Sequence, residues 1–245
     1  MNRQPVWVPP PGARFLLEGT TRYAGSTVTV DQKPILFGSG ATNRKLGGHI
    51  EKGPWAGMPI YMLTLEERRT CPPCSIWDRC YGNAMPWAKR VAHGADLEER
   101  IPIDLARLER RHRRGFAMRL HQLGDFYSLD YVQVWAKALN TFPALHVFGY
   151  TAWKPTSEIG AAILDLTQRR WNRFAIRFSG TTGRLGTVIV KDGVEPPQNG
   201  IVCPEQLGQT AGCGSCALCW APAGRDKTIV FIEHGTVDFR KTKPA

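Results

Sequence analysis

The chain has 245 residues, 42% of them hydrophobic, which suits one α/β domain with a sizeable core. Its 32 Lys and Arg against 21 Asp and Glu leave a net charge of +11, which favours DNA or RNA as a partner. No apolar run approaches the ~20 residues of a membrane span, and MNRQPVWVPPPGARF lacks the apolar stretch of a secretion signal. A cytoplasmic protein with reduced thiols is therefore expected.

In chain order, residues 1–50 are rich in Pro and Gly and carry only short apolar runs, VTV and PILF, so they read as an irregular lead-in packed on the main domain. Residues 51–245 read as that domain. MPIYMLTL predicts a strand, a cysteine loop follows, and NAMPWAKRVAHG predicts a helix interrupted or started by Pro86. The run RLERRHRRGFAMR concentrates Arg107, Arg110, Arg111, Arg113 and Arg114, either as a solvated helix end or as a phosphate-binding surface. AMRLHQLGDF then predicts a strand, and SLDYVQVWAKALNTF a helix capped near Ser128 or Asp130. ALHVFGYTAW predicts a strand and TSEIGAAILDLTQRR a helix, while RFAIRFSG, GTVIVKD, GIVC and TIVFIEHG supply further strands. This alternation predicts an α/β fold with a parallel sheet, a partial or closed (β/α) barrel whose cysteine loops sit at the C-terminal ends of the strands.

All seven cysteines fall in two groups: Cys71, Cys74 and Cys80, then Cys203, Cys213, Cys216 and Cys219. C-x2-C-x5-C and C-x9-C-x2-C-x2-C spacing lets a loop aim its sulfurs at one ion or cluster, and the odd count argues against a disulfide framework. Four thiolates close a coordination sphere, so the second group suits a 4Fe–4S cluster or a structural zinc, and its compact spacing is closer to ferredoxin-like loops. Gly124-Asp125, Thr151 to Lys154 and Ser179-Gly180 also lie at predicted strand ends, where barrel chemistry is placed. Asp125 reads either as a functional carboxylate or as a helix cap, and Arg177 either as an anion contact or as a structural ion-pair partner. Trp77 and Trp220, inside the cysteine loops, read as site walls.

The segments TCPPC…CYGNAM, LGDFYS, RFSG and CPEQ…CGSCALCW resemble the bacteriophage family called gene product eighty-eight, from about Asn43 to Trp220. A more distant similarity is to radical S-adenosylmethionine enzymes. That similarity implies a 4Fe–4S cluster on Cys71, Cys74 and Cys80 with one iron open, although C-x2-C-x5-C departs from the usual C-x3-C-x2-C. It implies that Asp125 contacts the amino group of S-adenosylmethionine as the catalytic-site carboxylate, and that Arg177 and Ser179 meet its carboxylate. The second group would then hold an auxiliary cluster, and an electron donor would be a partner. Two other readings stand beside it: a zinc-stabilised nucleic-acid-binding protein, and a transglycosylase-like barrel with zinc on Cys213, Cys216, Cys219 and His234 and Asp125 as nucleophile.

Overall fold

The computed structural model describes residues 9–74, 76–191 and 193–233. Its early part is mostly irregular, with the one-turn helix α1 (Arg14–Leu17) and two-residue strands β1 (Thr27–Val28) and β2 (Gly38–Ser39). There follow β3 (Ile60–Met62), β4 (Arg90–Val91), α2 (Ala95–Arg111), β5 (Phe116–Leu120), α3 (Leu129–Thr141), β6 (Leu145–Thr151) and α4 (Glu158–Arg170). The chain continues through β7 (Phe174–Ser179), β8 (Gly186–Val190), β9 (Gly200–Val202), the one-turn α5 (Cys213–Cys216) and β10 (Thr228–Ile232).

Local chemistry accounts for the regular elements. The Ser128 hydroxyl caps α3 by accepting the Tyr131 N–H at 3.0 Å, and Tyr131, Val132, Trp135, Ala138 and Leu139 form the buried stripe of that helix. Ser157 caps α4 in the same way, accepting from Gly160 at 3.2 Å. The predicted helix over NAMPWAKRVAHG is not formed. There the buried Arg90 side chain donates to the carbonyls of Gly82, Met85 and Ala88, and Arg90–Val91 pairs with β1. Carbonyls that would have built a helical ladder are spent on a guanidinium, and the helix starts only after Gly94.

Eight strands form one sheet in the order β2-β3-β5-β6-β7-β8-β10-β9, parallel except for β2 against β3. In place of the expected partial or closed barrel, the sheet is open and mostly parallel, with β2 and β9 at its edges. Antiparallel β2 occupies the flank of β3 that a closing parallel strand would need. From β3 to β7 the parallel strands follow chain order, and right-handed crossovers place α2, α3 and α4 on one face, where they pack side by side.

Register neighbours in a parallel sheet share a face, so Arg119, Phe148, Tyr150, Ala175 and Arg177 point away from Met118, Val147 and Phe174. The face carrying Phe148 is covered by loops. Trp55 meets His146 edge-on at 5.0 Å and stacks on Trp220 at 5.8 Å, while Trp220 lies 4.4 Å from Phe148. These rings, with Leu46 and Ile50, seal the inner face beneath the second cysteine loop. Among the described residues no helix is long and apolar enough to cross a membrane.

Candidate functional site

Both cysteine groups are held by buried arginines that donate to loop carbonyls. In the first loop, Arg68 donates to Thr20 O at 3.0 Å, to Trp77 O at 2.9 Å and to the Asn83 amide oxygen. Asn83 returns its own N–H groups to Trp77 O and Asp78 O. Arg90 binds Gly82 O at 3.0 Å and forms a two-pronged pair with Glu67 at 2.7 and 3.0 Å, with both residues buried. The Thr21 hydroxyl donates to the same carboxylate at 2.8 Å.

This loop is stitched to the exit of β5. Leu65 N–H donates to Leu123 O at 3.0 Å, and Asp125 N–H donates to the Thr70 hydroxyl at 3.2 Å. Gly124 makes the fit possible: its φ is +87°, and a Cβ there would sit 2.6 Å from both Leu65 and Thr70. Burial pushes the Cys71 thiol well up, the Asp125 carboxylate adds to the rise, and the Cys80 and Cys74 thiols contribute less. Cys71 is thus within electrostatic reach of Asp125, Cys74 and Cys80.

Asp125 is buried, and its two oxygens accept the Phe126 and Ala152 N–H groups, each at 2.7 Å. Burial raises its carboxyl to about 7, opposed by those backbone bonds, the Thr151 hydroxyl and Arg119. Arg119 was not foreseen from the sequence, although a charge inside the apolar strand AMRLHQL is a usable signal. Its guanidinium lies 4.5 Å over the Tyr150 ring and makes one long hydrogen bond, 3.4 Å to Leu120 O, among the described residues. Its charge acts on Tyr81, Asp125, Tyr150 and Cys213, which puts it between the two cysteine groups.

Cys203, Cys213, Cys216 and Cys219 all line one cavity of about 20 Å³, together with Tyr150. The loop is sewn to the lead-in by Cys213 N–H to Lys45 O at 2.7 Å and Glu51 N–H to Gly214 O at 3.0 Å, and to β10 by Cys203 N–H to Val230 O at 2.8 Å. The Tyr150 hydroxyl, another residue sequence reasoning missed, donates to Cys219 Sγ at 2.9 Å. Burial pushes the Cys213 thiol to about 12, with Cys219 adding and Lys45 opposing. Trp220 packs as a wall of this cavity, whereas Trp77 serves the first loop through its carbonyl.

Arg177 is fully buried beneath this second loop rather than beside Asp125's open edge. It donates to the carbonyls of Cys219 at 2.8 Å, Lys227 at 3.1 Å and Gly186 at 3.4 Å, and to Gly224 O. Gly224 allows this closeness, since a Cβ there would lie 2.0 Å from Leu218 O and 3.1 Å from the guanidinium. Ser179 is exposed at the end of β7, in register with Thr187 of β8. His234 lies outside the described residues. The basic run is at the other end of the sheet, before β5, where Arg110, Arg111, Arg113 and Arg114 are exposed. Among the described residues no three His, Cys, Asp or Glu side chains lie close enough to hold a single metal ion.

No curated protein and no solved structure matches the chain. The family described as Gene product 88 matches residues 39–165, from β2 into α4, a span that contains the first cysteine group and Asp125 and stops short of Arg177, Ser179 and the second group. Because that span covers more than half of the 245 residues, the chain belongs to the gene product 88 family.

Proposed function

We propose that the chain is an iron–sulfur protein of redox function, in which Cys71, Cys74 and Cys80 hold a 4Fe–4S cluster that leaves one iron open, with S-adenosylmethionine as the cofactor implied by resemblance. The carrying observation is that the first cysteine loop is hydrogen-bonded to the exit of β5, placing Cys71 near Asp125 at the C-terminal edge of an open parallel sheet, the edge where such sheets bind ligands. When bound, a cluster of this kind supplies single electrons at an iron that no thiolate caps. The chain's own residues do the rest. Asp125 keeps oxygens aimed at the loop by two backbone bonds and accepts from an ammonium or hydroxyl. Arg119 offers unspent N–H donors to an anionic group on the other side. Arg177, whose donors already serve four carbonyls, would have to surrender them to take that part, so we assign the anion to Arg119.

Anaerobic protein should therefore contain iron and acid-labile sulfide, and S-adenosylmethionine should perturb the electron paramagnetic resonance spectrum of the reduced form. Asp125→Ala should weaken that perturbation while keeping the iron. An unperturbed spectrum would remove the cofactor and leave an iron–sulfur protein with a different ligand.

A second reading applies to the other cysteine group. Its cavity of about 20 Å³ has room for little more than one water, too small for a four-iron cluster, and a zinc ion there would require the thiols to draw closer than their present spacing. A nucleic-acid partner fits the exposed Arg110, Arg111, Arg113 and Arg114, which make no ion pair among the described residues. Changing two of them to Gln should lower the log–log salt slope of DNA or RNA binding by roughly 2, at about 0.9 per phosphate contact. Salt-independent binding would leave the run as a solvated helix end.

A further inference from the structure

Trp87 is 83% exposed, whereas the six other tryptophans among the described residues, Trp55, Trp77, Trp135, Trp153, Trp171 and Trp220, are buried or half-buried. A ring of this size is ordinarily packed into a core or an interface, yet here a rigid device holds it out in water. Met85–Ala88 is a β-turn closed by Ala88 N–H to Met85 O at 3.4 Å, with Pro86 and Trp87 at its tip. One nitrogen of the buried Arg90 guanidinium donates to both ends of the turn, to Met85 O at 3.1 Å and to Ala88 O at 2.8 Å. Glu67 fixes the same guanidinium, and its second terminal nitrogen donates to Gly82 O at 3.0 Å. Beside Gly82 stands Tyr81, whose ring is 51% exposed while its hydroxyl donates to Gln122 O. Two aromatic rings thus stand out from backbone gathered around one guanidinium.

The charge around these rings has one sign. From Arg79 to Ala95 the sequence has no Asp or Glu, and Lys89 is exposed two residues after Trp87. Asp78, the nearest preceding acid, faces Arg79 at 3.8 Å. Exposed Arg22 reaches the same segment by donating to Asn83 O at 3.3 Å. Rings beside cations suit a single strand, because any base offers a face to stack and each phosphate takes a Lys or Arg. We propose that Trp87 and Tyr81 are the base-stacking platform of a single-stranded DNA or RNA site, with Lys89 and Arg22 as its phosphate contacts. The pinned turn presents Trp87 without backbone rearrangement, which lowers the ordering cost of binding. Val91 N–H donates to Thr64 O at 2.9 Å, so the platform lies past the C-terminal end of β3, at the other end of the sheet from Arg110, Arg111, Arg113 and Arg114. It requires no metal ion and is independent of the iron–sulfur reading.

Fluorescence anisotropy of labelled oligothymidylate and oligouridylate of about 16 nucleotides, titrated with the full chain, tests the platform, and the tighter of the two identifies the sugar. Trp87→Ala removes a side chain that the fold does not bury, so it should keep the wild-type melting temperature. It should weaken binding about 5- to 150-fold, the loss of one base–aromatic stack, and Trp87→Phe, which keeps a stacking face, should recover most of that. Lys89→Gln should lower the log–log salt slope by about 0.7, the value for one phosphate contact on a single strand. Unchanged binding by Trp87→Ala would overturn the proposal; if Arg110→Gln/Arg111→Gln weakens binding in its place, the nucleic acid lies on the basic run. Absence of binding to either oligomer at low salt would also overturn it and leave Trp87 to a protein partner.

Discussion

The two cysteine loops are fixed by the same device and differ in how its charge is met. In the first, Arg90 is paired with Glu67 before any metal is considered, and Arg68 and Asn83 hold the loop's carbonyls. In the second, Arg177 holds the carbonyls with no carboxylate beside it among the described residues. On the proposed reading, a loop that carries its own counter-charge needs no metal to be organised, and three thiolates on a cluster would leave one position for a ligand, whereas four would leave none. That difference would separate a site suited to chemistry from one suited to holding the fold.

The largest expected effect comes from breaking the internal balance of the first loop. Glu67→Gln leaves Arg90 buried and uncompensated, which should cost about 3–5 kcal/mol, read as a lower urea midpoint of metal-free protein. An effect below about 1 kcal/mol would mean that the pair does not organise the loop. Next, Cys216→Ala should abolish the stabilisation that added metal gives, while Cys74→Ala should keep most of it and lose iron from the first group. Calorimetry with and without metal checks this, and equal losses would make both sites structural.

Strands β5, β6 and β7 and helices α3 and α4 were legible because their information is local: apolar alternation, and Ser128 and Ser157 at the helix starts. Closure of the sheet was not legible, since it turns on two residues, Gly38–Ser39, taking the flank of β3. The absence of the helix expected over NAMPWAKRVAHG and the carbonyl partners of Arg177 share one cause. A buried guanidinium finds its carbonyls wherever the fold brings them, at Gly82 for Arg90 and at Cys219 and Lys227 for Arg177, and periodicity carries no record of such partners. The grouping of the cysteines is visible from spacing, and Cys203, Cys213, Cys216 and Cys219 line one cavity, while among the described residues no three metal-ligating side chains are placed to hold one ion. Tyr150 and Arg119, which lie between the groups, are single polar residues in apolar strands and gave a weaker signal.

A smaller effect concerns pH. The Asp125 carboxyl has an ordinary value of 3.8 and in the fold is raised to about 7, chiefly by burial. Between these values the folded chain keeps a proton that the unfolded chain has lost, so this group lowers stability as pH rises from about 4 to 7 and adds nothing further above that. Asp125→Asn should flatten that part of the stability profile of metal-free protein; an unchanged slope would show that Asp125 is ionised throughout. The smallest effect should come from Tyr150→Phe, which removes one hydrogen bond to the Cys219 sulfur at roughly 1 kcal/mol. Its loss should appear with metal bound more than without, and a variant indistinguishable from wild type in both states would detach Tyr150 from the second centre.

The proposed contrast between an open, self-balanced loop and a closed loop completed by metal is tested most directly by the metal content of the chain purified without oxygen, in wild type and in Cys71→Ser/Cys74→Ser/Cys80→Ser. Our account expects iron and acid-labile sulfide in the wild type, lost from the triple variant while one metal centre remains at the second group. Stoichiometric zinc with no sulfide in the wild type, or a triple variant with unchanged iron, would contradict it.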